Sequence, residues 1–239
     1  MIDILFRSLE NHDIVSEAER AQLRMILDKE RNVEPDEDIV KQGSRPLFST
    51  VLASGFAARY KLTVDGTRQI TALHVPGDFV DLHAFLLKTM DHGIVALSPC
   101  RIITVDHADL LTLTHSAPHL TRLFWLKTLV DGAVHREWIV AMGRRSKRAH
   151  LAHIICELFV RLRAVGLTEG RSFYFPLSQG EMADVLGLSL VHMNRTIQSL
   201  RRDGLISWTN QTIEILAWDE LAAIADFDPT YLSFQVEPR

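Results

Sequence analysis

Apolar positions change their period along the chain, and each change marks a different kind of element. Ser16-Glu17-Ala18-Glu19 opens a stretch in which Ala18, Leu23, Ile26 and Leu27 recur at helical spacing, with Ser16 and Glu19 placed as a capping box. One helix is therefore expected before the first strands. From residue 39 to residue 105 the pattern shortens into β-prone runs at 48–53, 56–64, 70–75, 94–97 and 102–105, separated by Ser54-Gly55, Asp65-Gly66, Pro76-Gly77-Asp78 and Ser98-Pro99. Asp65-Gly66 between two alternating runs predicts a tight hairpin. The even spacing of the strands predicts a sandwich or jelly-roll barrel, which leaves few exposed edges.

A helical pattern then starts at Ala117-Pro118, where proline's missing N–H costs nothing, and runs without a breaker to about Gly143. Its apolar positions Leu120, Leu123, Leu126, Val130, Val134, Trp138 and Ala141 are spaced three or four apart, as for packing against a partner helix. Such a helix carries more apolar surface than a small barrel can cover. Leu123, Val130, Val134 and Trp138 are thus the expected dimerisation seam. After the basic hinge Gly143-Arg144-Arg145-Ser146-Lys147-Arg148, a second amphipathic helix is expected, carrying Leu151, Ile154, Ile155, Leu158, Phe159 and Leu162. The domain division that follows is 1–115, 116–143 and 144–239.

Residues 177–206 read as helix-turn-helix. Ser178 and Glu181 form a capping box, Ala183 is small where two helices approach, Gly187 permits the turn and Ser189 caps the second helix. In that second helix Leu190, Met193, Ile197 and Leu200 share one face, and Gly204 supplies the stop. Val191, His192, Arg195, Gln198 and Arg202 point the other way, with Asn194 on the flank. An outward face of hydrogen-bonding groups can read base edges, and arginine and asparagine suit guanine and adenine respectively. Thr196 stands where an apolar residue is usual, and Ile197 beside it can take its place in the core. The alternating run 206–215 across Asn210-Gln211 predicts a two-stranded wing that also closes the core.

Charge agrees with a polyanion partner. Residues 144–212 hold ten Lys or Arg against five acids, whereas the whole chain is −4, leaving −9 outside that segment. Cys100 and Cys156 lie far apart in apolar surroundings without CxxC spacing, so neither a disulfide framework nor a metal cage is expected. No stretch reaches the roughly 18 apolar residues of a membrane span, and no secretory signal opens the chain. The expected location is the cytoplasm, with no membrane partner.

With a β-barrel, a long helix and a winged helix in that order, the chain resembles the CRP/FNR family of transcription regulators over nearly its whole length. The resemblance rests on Pro76-Gly77-Asp78-Phe79, Gly143-Arg144-Arg145-Ser146, and Leu177-Ser178-Gln179 through Gly204-Leu205-Ile206. It implies an α+β fold: an N-terminal β jelly-roll (double-stranded β-helix) sensor domain, a long dimerisation helix and a C-terminal winged helix-turn-helix domain. It further implies a homodimer on a palindromic operator in double-stranded DNA, with RNA polymerase and an effector as further partners. Arg195 then matches the guanine-reading arginine, Val191 and Asn194 match the other base-reading positions, and Ser178, Gln179 and Arg202 are expected phosphate contacts. Val191 departs from the glutamate of the best-known members, and valine could touch a thymine methyl group.

The effector domain departs further. Cyclic-nucleotide binders of the family carry Gly-Glu and a later Arg-Ser or Arg-Thr to clamp the phosphate, whereas this chain continues Phe79-Val80-Asp81-Leu82-His83 and has no arginine between Arg68 and Arg101. Phe79, Leu82, Phe85 and Leu86 are available to fill the pocket instead. Iron-sulfur members carry N-terminal cysteines, absent before Cys100. Of eleven histidines, His74, His83 and His92 fall near the expected pocket, His115 and His119 near a helix start, and His150 and His153 on a helix. None fits a metalloenzyme pattern, so no metal site is expected, and no Gly-x-Ser-x-Gly, P-loop or Gly-x-Gly-x-x-Gly points to an enzyme. No cofactor is expected. A haem- or small-molecule-dependent redox or gas sensor stands as the alternative reading.

Overall fold

Two helices, not one, precede the first strand in the computed structural model, which describes residues 2–239: α1 (Asp3–Glu10) and α2 (Glu17–Ile26). The capping box forms at α2, where the Ser16 side chain accepts from Glu19 N and Glu19 reaches back to Ser16 N. Strands begin ten residues ahead of the expected position. They are β1 (Lys29–Val33), β2 (Asp38–Val40), β3 (Phe48–Ser54), β4 (Ala57–Leu62), β5 (Arg68–His74), β6 (Gly93–Ala96) and β7 (Cys100–Asp106), with α3 (Ala84–Leu87) between β5 and β6. Helix α4 (His107–Ser116) leads into the long α5 (Pro118–Arg144).

The chain forms two compact units. The first comprises residues through Lys61, Thr71–Gly132 and Ser233–Arg239, and the second Leu62–Ile70 and Ala133–Leu232. This differs from the division at 115/116 and 143/144, because α5 is no domain of its own: its residues up to Gly132 group with one unit and those from Ala133 with the other.

In the first unit the strands make two antiparallel sheets, ordered β1-β7-β3 and β2-β6-β4-β5. Alternation along β3 and β7 sends Leu52 and Ile102 into a core with Ile39, Ala57, Ile94 and Ala96 of the other sheet. Val51, Ile103 and Val105 face the opposite way and pack with Leu5, Phe6 and Leu9 of α1, Leu23 of α2 and Leu120, Leu123 and Phe124 of α5. The β4-β5 hairpin closes around Asp65-Gly66, with Thr63 N donating to Thr67 O. Pro76-Gly77-Asp78 turns against β3: Gly77 N donates to Leu52 O, and Asp78 Oδ2 accepts from Val75 N. Gly77 has φ +93°, and a Cβ there would lie 2.9 Å from both Ile4 O and Ser8 Cβ of α1, so only glycine fits this close approach.

In the second unit α6 (Lys147–Ala164) is followed by β8 (Thr168–Glu169), β9 (Ser172–Tyr174), α7 (Gln179–Leu186), α8 (Leu190–Arg202), β10 (Ile206–Thr209), β11 (Thr212–Ile215), α9 (Trp218–Ala225) and a 3-10 turn (Pro229–Leu232). The four strands form a sheet ordered β10-β11-β9-β8. Helix α6 is not amphipathic as expected: every residue from 150 to 160 is buried, including His150, His153 and Glu157. Glu157 accepts from Trp138 Nε1 (3.1 Å), Tyr231 Oη (2.9 Å) and Arg161 Nη1 (3.0 Å). Burial pushes its carboxyl upward, against the charge of Arg161 and those hydrogen bonds.

This packing corrects the expected seam on α5. Leu123 is fully buried in the core of the first unit, Trp138 is buried on Glu157, Val134 is buried and Val130 is half-buried. Leu123, Val134 and Trp138 are already covered within one chain. The exposed apolar residues of α5 are Trp125 (67%), Leu129 (55%), Ile139 (64%), Val140 and Met142. At ~100° per residue, Trp125, Leu129 and Ile139 share one face, opposite the positions expected for the seam.

Buried histidines set an acid limit on this fold. Burial lowers His12, His83 and His150 to about 4 and His153 to about 3. The unfolded chain binds protons at these rings from the ordinary histidine value downward, whereas the folded chain does not, so stability present above pH ~6.5 is lost as pH falls toward 4. Asp81, pushed up to about 7 by burial, acts oppositely, losing stability as pH rises from the ordinary carboxylate range through 7. Four histidines outweigh it, and the urea midpoint is expected to fall between pH 7.5 and pH 5. His150 has neither ring nitrogen hydrogen-bonded among the described residues. His150→Leu is accordingly expected to recover about 2 kcal/mol of that loss at pH 5; an unchanged pH profile in urea titrations would refute the assignment.

Candidate nucleic-acid interface

Local sequence chemistry fixes the angle between α7 and α8. Ser178 Oγ accepts from Glu181 N (3.2 Å) while Glu181 Oε2 accepts from Ser178 N (2.6 Å), so the first turn of α7 is closed at both ends of the box. Gly187 ends α7 in the left-handed conformation (φ 63°, ψ 47°), and Leu188 N returns to Ala183 O (2.9 Å). Ser189 then caps α8, accepting from His192 N (3.4 Å).

Met193, Ile197 and Leu200 of α8 are buried. Leu190 is not with them: as the first residue of α8 it is exposed, contrary to expectation. Val191, His192, Asn194, Arg195, Gln198 and Arg202 are all exposed on the outer face. Thr196 is half-buried and spends its hydroxyl on His192 O (2.8 Å), leaving Ile197 to fill the core. Asn194 Nδ2 donates to Gln179 Oε1 (3.2 Å), which joins one expected base-reading residue to one expected phosphate contact. Ser178 and Gln179, at the N-terminus of α7, are exposed, so polar side chains stand where the helix dipole favours an anion.

The wing forms as expected. Ile206↔Ile215 and Thr209↔Thr212 pair across Asn210 (φ 48°) and Gln211 (φ 62°), two left-handed residues of the kind that a two-residue hairpin turn needs. Ile213 and Ile215 point into the core, and Trp208 meets Phe175 edge-on at 5.0 Å, so the hairpin also closes the hydrophobic centre of this unit. Part of the basic excess is consumed internally: Arg148 pairs with Asp203 (2.6 Å), Arg161 with Glu157 (3.0 Å) and Arg145 with Glu137 (3.1 Å).

The β unit contains a polar cluster that the sequence only half revealed. Arg59, on β4, is buried, donates to Asp131 Oδ2 of α5 (3.0 Å) and lies 3.4 Å from Val80 O. Nothing in the run Ala57-Ala58-Arg59-Tyr60 marks this arginine as inward-facing. Asp81 is fully buried, accepting from Thr50 N and from Thr50 Oγ1 (3.2 Å). His83 and His92 meet through their Nε2 atoms at 3.1 Å. Phe79, Leu82 and Phe85 pack into the core beside α1 and α5, whereas Leu86 is exposed and fills nothing. Of the other histidines, His119 lies between Glu19 (2.6 Å) and Asp13 (3.1 Å), and His74 is buried. Cys100 and Cys156 are free buried thiols, and burial pushes Cys156 up to about 12.

Residues 149–224 match the Crp-like helix-turn-helix domain, and residues 30–116 match the cyclic nucleotide-binding domain. The transcriptional activator FnrL of Cereibacter sphaeroides is 27% identical over 180 residues, covering 74% of this chain and 72% of that protein. The fumarate and nitrate reduction regulatory protein of Vibrio cholerae is 23% identical over 88% of this chain and 84% of its own length. Among solved structures, FixK2 from Bradyrhizobium japonicum has a TM-score of 0.75 at 22% identity, over 82% of this chain and 96% of that one. The chain belongs to the CRP/FNR family. As a CRP/FNR regulator it has DNA as its macromolecular partner, and its relatives are transcription regulators rather than enzymes. Among the described residues no helix is long and apolar enough to cross a membrane.

Membership in a family with a cyclic nucleotide-binding domain raises the question of fit. A cyclic phosphate in a half-buried pocket needs an uncommitted guanidinium fork. Arg59 is the buried arginine of the barrel, and it is held by Asp131 with Asp81 close enough to feel its charge. An anion there would have to displace one carboxylate and sit near a second. The residues present do not fit a cyclic phosphate.

Proposed function

We propose that this CRP/FNR regulator binds a palindromic operator as a homodimer and that its β unit responds to an effector other than a cyclic nucleotide. The observation that carries the DNA reading is the outer face of α8, where six candidate contact side chains are exposed on a helix fixed by caps at its start and a glycine turn before it. In this reading Arg195 takes a guanine, Asn194 an adenine edge and Val191 a thymine methyl group, with His192 and Gln198 reaching flanking edges. Ser178, Gln179 and Arg202 hold phosphates. Dimerisation uses the exposed face of α5, through Trp125, Leu129 and Ile139, because an apolar stripe of this size on one helix face is the feature a partner helix covers. The setting is the cytoplasm, with RNA polymerase as the partner through which DNA binding acts on transcription.

A second reading, in which the β unit is a haem- or small-molecule-dependent redox or gas sensor, draws support from the buried polar cluster of Arg59, Asp131, His83 and His92. A visible absorption spectrum of freshly purified protein distinguishes it: a Soret band means haem.

Arg195→Ala is expected to cost about 1–3 kcal/mol of operator binding and to relax preference at one G·C pair per half-site, since a bidentate contact is lost. Gln179→Ala is expected to weaken binding to all sequences alike. Site selection from random DNA checks both, and an unaltered consensus for the arginine variant would exclude a base-reading role. Trp125→Glu is expected to shift the dimer toward monomer in equilibrium sedimentation, whereas a variant that stays dimeric at low concentration places the seam elsewhere. Calorimetry with cyclic AMP and cyclic GMP is expected to show no micromolar binding, and such binding would restore the nucleotide-sensor reading.

A further inference from the structure

The histidine pair in the β unit has the geometry of a metal chelate. The Nε2 atoms of His83 and His92 are 3.1 Å apart, with ring centroids 5.0 Å apart. On the far side of His92, Nδ1 lies 2.8 Å from Asp91 Oδ1. An Nδ1–H donated to that carboxylate leaves the Nε2 lone pair of His92 directed at His83, which donates its own Nε2–H to it. This is how a metal-ligating histidine is set up, with a carboxylate fixing the tautomer from behind.

We propose that His83 and His92 chelate one late first-row divalent ion, such as Zn2+, Ni2+ or Cu2+, through their Nε2 atoms, with Asp91 orienting His92. Nitrogens 3.1 Å apart, each bound at ~2.0–2.1 Å, subtend roughly 100° at the ion, between octahedral and tetrahedral geometry. The ion takes the place of the shared proton, and that proton passes by exchange with water to Nδ1 of His83, so neither ring changes charge. Around the pair Arg59 contributes one positive charge, against the carboxylates of Asp91 and Asp131. Lys61 lies 3.4 Å from Asp91 Oδ2, so the fixed charges around the pair balance and the two imidazole nitrogens carry the affinity. Among the described residues no group of three or more His, Cys, Asp or Glu is placed to hold a metal. The remaining coordination positions go to water or to a small ligand brought from outside, which suits an exchangeable effector better than a structural ion. The two nitrogens are too close together to take opposite faces of one haem.

The test uses the full chain, stripped with a chelator and titrated with Zn2+, Ni2+ and Cu2+ by calorimetry in the absence of DNA, so that its outcome is separate from the DNA-binding reading. One ion per chain at micromolar affinity or better is expected for at least one of the three. His83→Gln is expected to abolish that binding, and His115→Gln, at an exposed position, to leave it unchanged. Should His83→Gln fail to fold, Asp91→Asn decides: its side chain is 63% exposed, and loss of the carboxylate behind His92 is expected to weaken affinity about 10- to 100-fold. Absence of stoichiometric binding by all three ions, or binding indifferent to Asp91→Asn, overturns the proposal.

Discussion

The DNA-binding unit depends on one constraint: α6 is covered on every side. A helix that buries all positions from 150 to 160 has no solvent face on which to place a polar residue, yet it carries His150, His153 and Glu157 there. Those three stand at i, i+3 and i+7, a single stripe, so the polar groups are gathered along one line. Glu157 is satisfied by donors from α5, from α6 itself and from the 3-10 turn, and His153 Nε2 lies 3.2 Å from Tyr231 Oη. Removing any one donor would leave a buried carboxylate short of partners, which costs more than a surface contact gains. The same helix packs against α7, α8 and α9 through its remaining faces. The orientation of α8 is thus inherited from a core element.

The helix-turn-helix was legible in the sequence because each of its turns is enforced locally. Ser178 with Glu181, Gly187, Ser189 and Gly204 act within four residues of themselves, and such signals survive without knowledge of the rest of the fold. The strands at 48–106 were legible for the same reason, being bounded by Gly and Pro turns. What escaped had no local signature. Lys29-Glu30-Arg31-Asn32-Val33 is a polar edge strand, specified by pairing with β7 rather than by its own alternation. Helix α1 is short, and its Leu5, Phe6 and Leu9 become a recognisable face only once there is a sheet for them to cover. Helices α3 and α4 likewise lie between stronger signals.

The misplaced seam on α5 has a different origin. Periodicity reports that a helix face is apolar, not what covers it. Leu120, Leu123, Val134 and Trp138 form a regular stripe because the body of their own chain requires one, and a stripe made for the core has the same spacing as one made for a partner. The exposed residues Trp125, Leu129 and Ile139 make a second stripe, interrupted by Gly132 and Arg136, and therefore weaker to the eye. A helix apolar on two opposite faces is what a seven-turn element needs if it is to be covered on one side by its own chain and on the other by a second copy.

In the β unit a guanidinium arrives from a strand outside the span that lacks arginine. The span between Arg68 and Arg101 holds no arginine, which removes the phosphate clamp of the family at its usual place, but Arg59 brings a guanidinium into the barrel from another strand. Its partner decides its meaning. Bound to Asp131, it is the neutralised half of an ion pair tying β4 to α5, and a buried pair of this kind is held together by the cost of leaving either charge alone. A ligand acting there would have to offer a replacement for one member of the pair. A cation near His83 and His92 competes with Arg59 for Asp131, while an anion competes with Asp131 for Arg59. An anionic effector would thus have to displace Asp131 from Arg59, whereas the proposed cation is held by two imidazole nitrogens.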